Sequence, residues 1–384
     1  MDKNKNYAVN WTDGVKITQE HFLESHYNVI HTIQDSVATR LNAFNYGIIG
    51  SSSGNLNSLE VETYIHTNER LVLRLQACNA VTAGGARIVF LPDMYGGELP
   101  TATIESGNID TNSTLDFVVV VTVNPFELVP VGEPDPEVIP LHHPYALPKI
   151  SLSIVPRDQM NGNFLNSYFL IVGRVQWKNG VFNIDYKYIP PVTKIMYNNE
   201  LQAFYNSIVQ VMTELKTNSV LINSKNRSKY QNNKLASNTF VLCSKVLDFI
   251  GQHQFEFNQT GVEEPPVFIA SKISILANYL SNELSLMDKQ EKEGLLQYYY
   301  EWIDIKPSMF ESAIGEVIQL EYNHLDINEM ISKIDYFIAI MNRLWKKLGQ
   351  LEYIGQRKEN IVISEDRQEA NVTQQRSRSW SIID

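Results

Sequence analysis

Histidines are the first residues in this chain whose type and spacing could do chemistry. His21, His26 and His31 follow one another at five-residue steps. Two metal ligands on one helix face need a step of four, and five-residue steps rotate about 140° around the axis, so these rings do not converge. His142-His143 has no cysteine or further histidine near it, and His66, His253 and His324 are scattered. Cys78 and Cys243 are too few for a disulfide framework and too far apart for zinc; they read as buried free thiols in a reducing compartment. Gly84-Gly85 and Gly96-Gly97 are turn doublets, without the surrounding pattern of a phosphate-binding loop, and no G-x-S-x-G elbow is present. Glu263-Glu264 is an ordinary pair in an acidic chain and does not define two acids flanking a scissile bond. Tyr298-Tyr299-Tyr300 and Trp302 spread over several helix faces, which suits a core and a subunit interface better than a ligand cage. The expectation is a protein that is not an enzyme, with no cofactor and no metal.

The elements that would position any site follow from composition and periodicity. The chain has 384 residues, 43% hydrophobic and 20% charged, which is ordinary globular composition with length for two or three domains. Its net charge of −11 argues against nucleic acid as a partner. The densest basic cluster (Lys225, Arg227, Lys229, Lys234) is interleaved with Asn and Ser and reads as a solvated interhelical loop. No run is apolar for the ~18 residues a membrane helix needs, and the opening Met-Asp-Lys-Asn-Lys-Asn leads into no apolar stretch. A cytoplasmic protein without direct membrane insertion is expected.

Residues 48–190 read as strands: Glu60–His66, Arg70–Ala77, Ala86–Leu91, Phe117–Val123, Lys149–Val155, Phe164–Trp177 and Val181–Tyr186. Phe117-Val118-Val119-Val120-Val121-Thr122-Val123 has the β-branched content of a strand buried on both faces. Strands with no helix between them indicate a β-sandwich. Pro130, Pro134, Pro136, Pro140, Pro144 and Pro148 mark a long extended loop, an intersubunit arm or a plain surface excursion. Asp185, Ile189, Pro190 and Pro191 close the sandwich, since a proline pair stops a strand and suits a first helical turn.

Beyond this boundary the chain reads as helices. Leu201, Tyr205, Ile208, Met212 and Leu215 form a bundle seam. A second helix covers Leu235–Ile250 and ends near Gly251, and a third begins after Pro265-Pro266. Shorter ones cover Glu291–Trp302 and Pro307–Tyr322. Ile327 through Leu348 marks the last. The fold class is thus α+β multidomain. Residues 1–47 are a docking segment and helix, 48–190 the β-sandwich, 191–325 the bundle, 326–354 a C-terminal helix and 355–384 a polar tail. The tail is too poor in apolar residues to order itself. Trp380, Ile382 and Ile383 at its tip suit a short binding motif or a frayed end.

The N-terminal segment reads Trp-Thr-Asp-Gly-Val-Lys-Ile-Thr-Gln-Glu-His-Phe from Trp11. Gly14 implies a turn, Thr18 stands where an N-cap belongs, and Glu20 suits the first turn. Phe22, Tyr27, Ile30, Ile33, Val37, Leu41 and Phe44 then recur as one buried helix face would.

Trp11-x-Asp13-Gly14-x-x-Ile17-x-x-x-His21-Phe22 resembles the N-terminal signature of the TssK family, baseplate subunits of the bacterial type VI secretion system. The usual form is Trp-x-Glu-Gly-Met-Phe-Leu-x-Pro-Gln-His-Phe. Asp13 keeps the acidic position and Ile17 replaces Leu, while Val15, Lys16, Gln19 and Glu20 depart from it. Tyr46-Gly47 is close to the family's Trp-Gly. The run from Phe182 through Asp185 to Pro190-Pro191 is similar to the family's strand into a proline pair. Leu276-Ala277-Asn278-Tyr279-Leu280 fits a Leu-Ala-Gly-x-Leu helix core, with Asn replacing Gly.

The resemblance implies a homotrimer with a shell domain like that of phage receptor-binding proteins and a helical neck. Its shell would meet the wedge subunits TssF and TssG, through Trp11, Asp13, Gly14, Ile17, His21 and Phe22, with Trp11 as the desolvated anchor. Where the family usually carries a head that contacts the inner-membrane complex, this sequence has only the last helix and the tail. A membrane-complex component would then be met through Trp345, Trp380, Ile382 and Ile383, recruiting the baseplate to the inner membrane. Two rival readings share the pattern: a phage-type receptor-binding or tail-baseplate adaptor, and a carbohydrate-active β-sandwich enzyme, which would need convergent carboxylates the sequence does not offer.

Overall fold

The computed structural model describes residues 7–50, 58–66, 70–110, 113–160, 168–225 and 233–358. The chain forms two compact units. The first comprises Met1–Ala203, Val262–Val267 and Tyr322–Glu329, and the second Phe204–Gly261, Phe268–Glu321 and Met330–Asp384.

The first unit opens with helix α1 (Gln19–Ala38) and then builds two antiparallel sheets. One sheet is organised by the long strand β3 (Arg70–Val81), which pairs with β1 (Gly47–Ile48), β2 (Leu59–His66), β4 (Arg87–Phe90) and β5 (Thr101–Glu105). β1 is too short for a sequence pattern and β5 alternates only Ala102 and Ile104 with polar residues, and both pair with β3. Gly47 has φ 119°, and a Cβ there would run into the Pro191 carbonyl, so only glycine lets Ile48 bridge Val192. Asp185, Ile189, Pro190 and Pro191 therefore lie inside the first unit: Ile48 N–H donates to the Pro191 carbonyl at 2.8 Å, and Thr193 N–H returns to Ile48 at 3.0 Å.

The second sheet has the order β7-β6-β8-β9, from β6 (Leu115–Val131), β7 (Tyr145–Pro156), β8 (Phe169–Lys178) and β9 (Val181–Ile184). Phe117 to Val121 and Val123 are all buried, so β6 is covered on both faces. On one face Val118, Val120, Phe169, Ile171 and Tyr188 pack together with Leu325. Trp177 is buried, meets the Phe182 ring at a tilt with centroids 4.7 Å apart and donates its indole N–H to the Asp110 carbonyl at 3.1 Å.

The proline stretch is shorter as a loop than its sequence suggests. β6 runs to Val131 and β7 begins at Tyr145, with Pro130 opposite Ala146 and Pro148 opposite Leu128. Beyond Val123, β6 pairs with β7 and not with β8, so these prolines stand in a two-stranded ribbon whose outer edges need no donor. The strand expected from Phe164 begins at Phe169, and residues 164–167 lie outside the described residues.

The second unit is helical, built from α2 (Asn199–Ser224), α3 (Lys234–Phe255), α4 (Val267–Leu286), α5 (Lys289–Ile303), α6 (Pro307–Ile318) and α7 (Ile327–Gln350), apart from residues 199–203, 267 and 327–329, which fall in the first unit. Tyr205, Ile208, Met212 and Leu215 are buried, as their spacing requires. Asn233 and Asp288 cap α3 and α5 by accepting the backbone N–H of Ala236 and Glu291. α3 does not stop at Gly251: a helical glycine only weakens the turn, and the helix continues into a π-turn at Glu256–Thr260. α6 ends at Ile318 rather than Tyr322, because Tyr322 returns to the first unit. The tyrosine cluster is core: Tyr298 and Tyr299 are buried, and Tyr299 O–H donates to Thr239. Lys225 donates its ammonium to the carbonyls of Leu348, Gly349 and Leu351, capping α7, so it is committed inside the fold. Among the described residues, no helix is long and apolar enough to cross a membrane.

Candidate functional site

The N-terminal segment is built around a turn and a cap. Val15 N–H donates to Thr12 O at 3.3 Å, and Gly14 holds φ 87° with open space around its Cβ position. Thr18 is extended at the start of α1. Its backbone N–H donates to Nδ1 of His21 at 3.2 Å, the role a Glu or Gln side chain plays in a capping box. The His21 ring lies 5.6 Å from that of Trp11, so the cap also positions the tryptophan. Trp11, Ile17 and Phe22 are each more than half exposed, and Asp13 is exposed beside them.

α1 rests on the first unit along one narrow face. Tyr27 O–H donates to Phe126 O at 3.1 Å, and the rings of Tyr27 and His31 meet Phe126 edge-on at 5.2 and 5.1 Å. Tyr168 O–H donates to Gln34, and Gly85 sits so close that an added Cβ would lie 3.2 Å from Gln34 O. The face expected to be buried is not: no residue of α1 is buried, Phe22 and Ile33 point to solvent, and Leu41 and Phe44 fall beyond the helix end. The apolar arc is wider than the surface it rests on, and only its Tyr27, His31, Gln34 and Val37 side meets a neighbour. Val29, exposed between Phe22 and Ile33, completes a stripe that the sequence already contained at seven- and four-residue steps.

Polar groups elsewhere in the first unit are committed to one another. A hollow of about 320 Å³ is lined by Asp116, Arg157, Arg174, Gln176, Asn183 and Asp185. Within it, Arg174 pairs with Asp326 at 3.0 Å and covers the Tyr188 ring, Gln176 holds Asp116, and Asp185 accepts the Lys187 N–H. His324, one of the scattered histidines, is buried. Its Nε2 donates to Tyr46 O at 2.8 Å, and Tyr322 O–H donates to its Nδ1 at 2.7 Å. Burial pushes this imidazole down to about 4, the hydrogen bond to Tyr46 opposing the shift, so the ring is neutral. Among the described residues, no group of three or more His, Cys, Asp and Glu gathers as a metal would need.

Of the C-terminal interface candidates, Trp345 is a core residue. It is fully buried in the second unit and donates its indole N–H to Ser219 at 2.8 Å, so it has no surface to offer a partner. The apolar spacing of α7 placed it on the inner face, which outweighs its aromatic type. Trp380, Ile382 and Ile383 lie outside the described residues, as do Arg227 and Lys229.

No protein-family model and no curated protein sequence matches the chain. Solved structures do. The chain is similar to TssK in a crystal structure, at 15% identity and a TM-score of 0.51 over 75% of this chain and 63% of that one. It is also similar to a chain of the baseplate complex from the type VI secretion system, at 14% identity and a TM-score of 0.53 over 89% of this chain and 99% of that one. The chain thus spans less than two thirds of the TssK chain it matches. At these identities, what is shared is the fold.

Proposed function

We propose, from a chain with the fold of TssK, that this protein is a structural baseplate component of a type VI secretion system, without enzymatic activity. In this reading it is a trimeric adaptor. Its two sheets form a β-sandwich shell that meets the wedge subunits TssF and TssG, and its helices form a bundle neck. Its C-terminal region meets a membrane-complex component, bringing a cytoplasmic assembly to the inner membrane. The observation that carries the reading is the likeness to a baseplate chain over 99% of that chain's length. The exposed signature residues support it, because a tryptophan held by a cap and left in solvent has the features of an interface anchor.

Trp11 and Ile17 supply apolar surface to the wedge in this reading, with Phe22 at its helical end. Gly14 shapes the turn, Asp13 lies at its rim, and His21 positions Trp11. The test is capture of co-expressed TssF–TssG by the full chain and by Trp11→Ala. The variant is expected to keep its melting temperature and oligomeric size while wedge affinity falls roughly tenfold or more. Unchanged capture, or a variant that no longer folds, would refute the assignment of Trp11.

A further inference from the structure

Helix α7 ends at Gln350, but the chain beyond it stays fastened to the second unit through residues 352–357. This stretch belongs to no helix or strand, and its fastenings are individual contacts. Ile354 is fully buried. Gly355 N–H donates to Tyr298 Oη at 3.1 Å, and its carbonyl accepts from Asn233 Nδ2 at 3.1 Å. Arg357 Nη1 lies 3.6 Å from Glu301 Oε1. Gly355 has φ 85°, and a Cβ there would lie 2.7 Å from Asn233 Oδ1, so the contact demands glycine.

We propose that residues 352–357 are a strap that opens while the helices stay folded, lengthening the reach of the C-terminal residues that follow. Its anchors are held by bonds of their own. Tyr298 is buried with its ring 5.8 Å from that of Tyr299, and Asn233 Oδ1 accepts the Ala236 N–H as the cap of α3. Lys225 donates to the carbonyls of Leu348, Gly349 and Leu351, so α7 keeps its cap and the strap hinges just after Leu351. The closed strap also carries a cost. Glu301 stands one turn along α5 from Tyr298, and its Oε2 is buried with no hydrogen-bond partner among the described residues. An unpaired buried carboxylate oxygen favours any motion that admits water to it. Opening admits that water and gives up one buried isoleucine and two hydrogen bonds. Such a segment opens locally, below the stability of the helices around it.

Six residues released in extended form add at most roughly 20 Å of reach. The use of that reach rests on the reading of the C-terminal region as the membrane-side contact, where a tether with slack stays engaged as its ends move apart. Native-state hydrogen exchange of the full chain, with no partner present, tests the strap. The Gly355 amide is expected to exchange roughly 100-fold or more faster than those of Leu344 and Trp345 in α7. Asn233→Asp keeps the oxygen that caps α3 and removes the amide that holds Gly355. It is expected to speed exchange in the strap about tenfold further and to leave α3 and α7 unchanged. A Gly355 amide that exchanges only together with α7 would overturn the strap, because the segment would then be fixed core. A variant with unaltered strap exchange, or one that also loosens α3, would overturn its separate fastening at Asn233. TssF–TssG capture is independent of all these outcomes; its absence would remove the adaptor reading and leave the strap standing.

Discussion

Helices α1 and α7 carry apolar residues at the same three- and four-residue steps and meet opposite fates. In α7, Ile327, Met330, Ile334, Phe337, Ile338, Met341, Leu344, Trp345 and Leu348 are all buried. In α1 nothing is, although Phe22, Val29 and Ile33 repeat as regularly. Periodicity states that a helix has an apolar face; it does not state which chain covers it. A seam satisfied within one chain belongs to the core, and for one left bare the spacing names no occupant.

That contrast breaks most readily at Trp345. If α7 is core, Trp345→Ala removes a fully buried indole and leaves Ser219 without its donor, at a cost of about 3–5 kcal/mol. Urea unfolding followed by circular dichroism measures it. A loss below about 1 kcal/mol would mean that α7 is loosely seated and that the two helices do not differ in kind.

A second test uses pH and concerns how the first unit is closed. His324 ties the returning segment to Tyr46, with a folded-state value of about 4 against an ordinary 6.5. Because the folded value is the lower one, the unfolded chain takes up the proton first on acidification. Stability is full above about pH 6.5 and declines as pH falls toward 4, by on the order of 3 kcal/mol in all. His324→Gln is expected to lose part of the baseline stability and to flatten this decline. A wild-type midpoint that stays constant across that window would show that the imidazole is not held as the hydrogen bonds indicate.

Much of the fold was legible in sequence because local patterns and tertiary demands agreed. Phe117–Val123 is β-branched and buried on both faces, and Leu201 through Leu215 repeats at bundle spacing and packs. The unread parts depend on distant residues. β5 is set by its pairing with β3, Gly47 by the approach of Pro191, and His324 by a backbone carbonyl 278 positions away. The N-terminal segment was readable as a motif. What the motif could not convey is that His21 supplies the cap and holds Trp11, or that the helix behind it is bare. Trp345 was misread because its residue type suggested an interface while its helical position specified the core.

The smallest expected effect is also the sharpest. Ile33 and Ile334 are the same residue on two amphipathic helices, one 56% exposed and the other fully buried. Ile334→Ala should cost about 2–5 kcal/mol at any protein concentration. Ile33→Ala, measured where the chain is monomeric, should change stability by no more than about 0.5 kcal/mol, since alanine's better helix propensity offsets the small reduction in packing. Raising the concentration separates two explanations of a bare stripe. If copies pack along it, association stabilises the wild type by mass action and the variant falls behind it. If the stripe is only solvated surface, the two midpoints stay together at every concentration, and the difference between α1 and α7 reduces to one of burial without consequence for assembly.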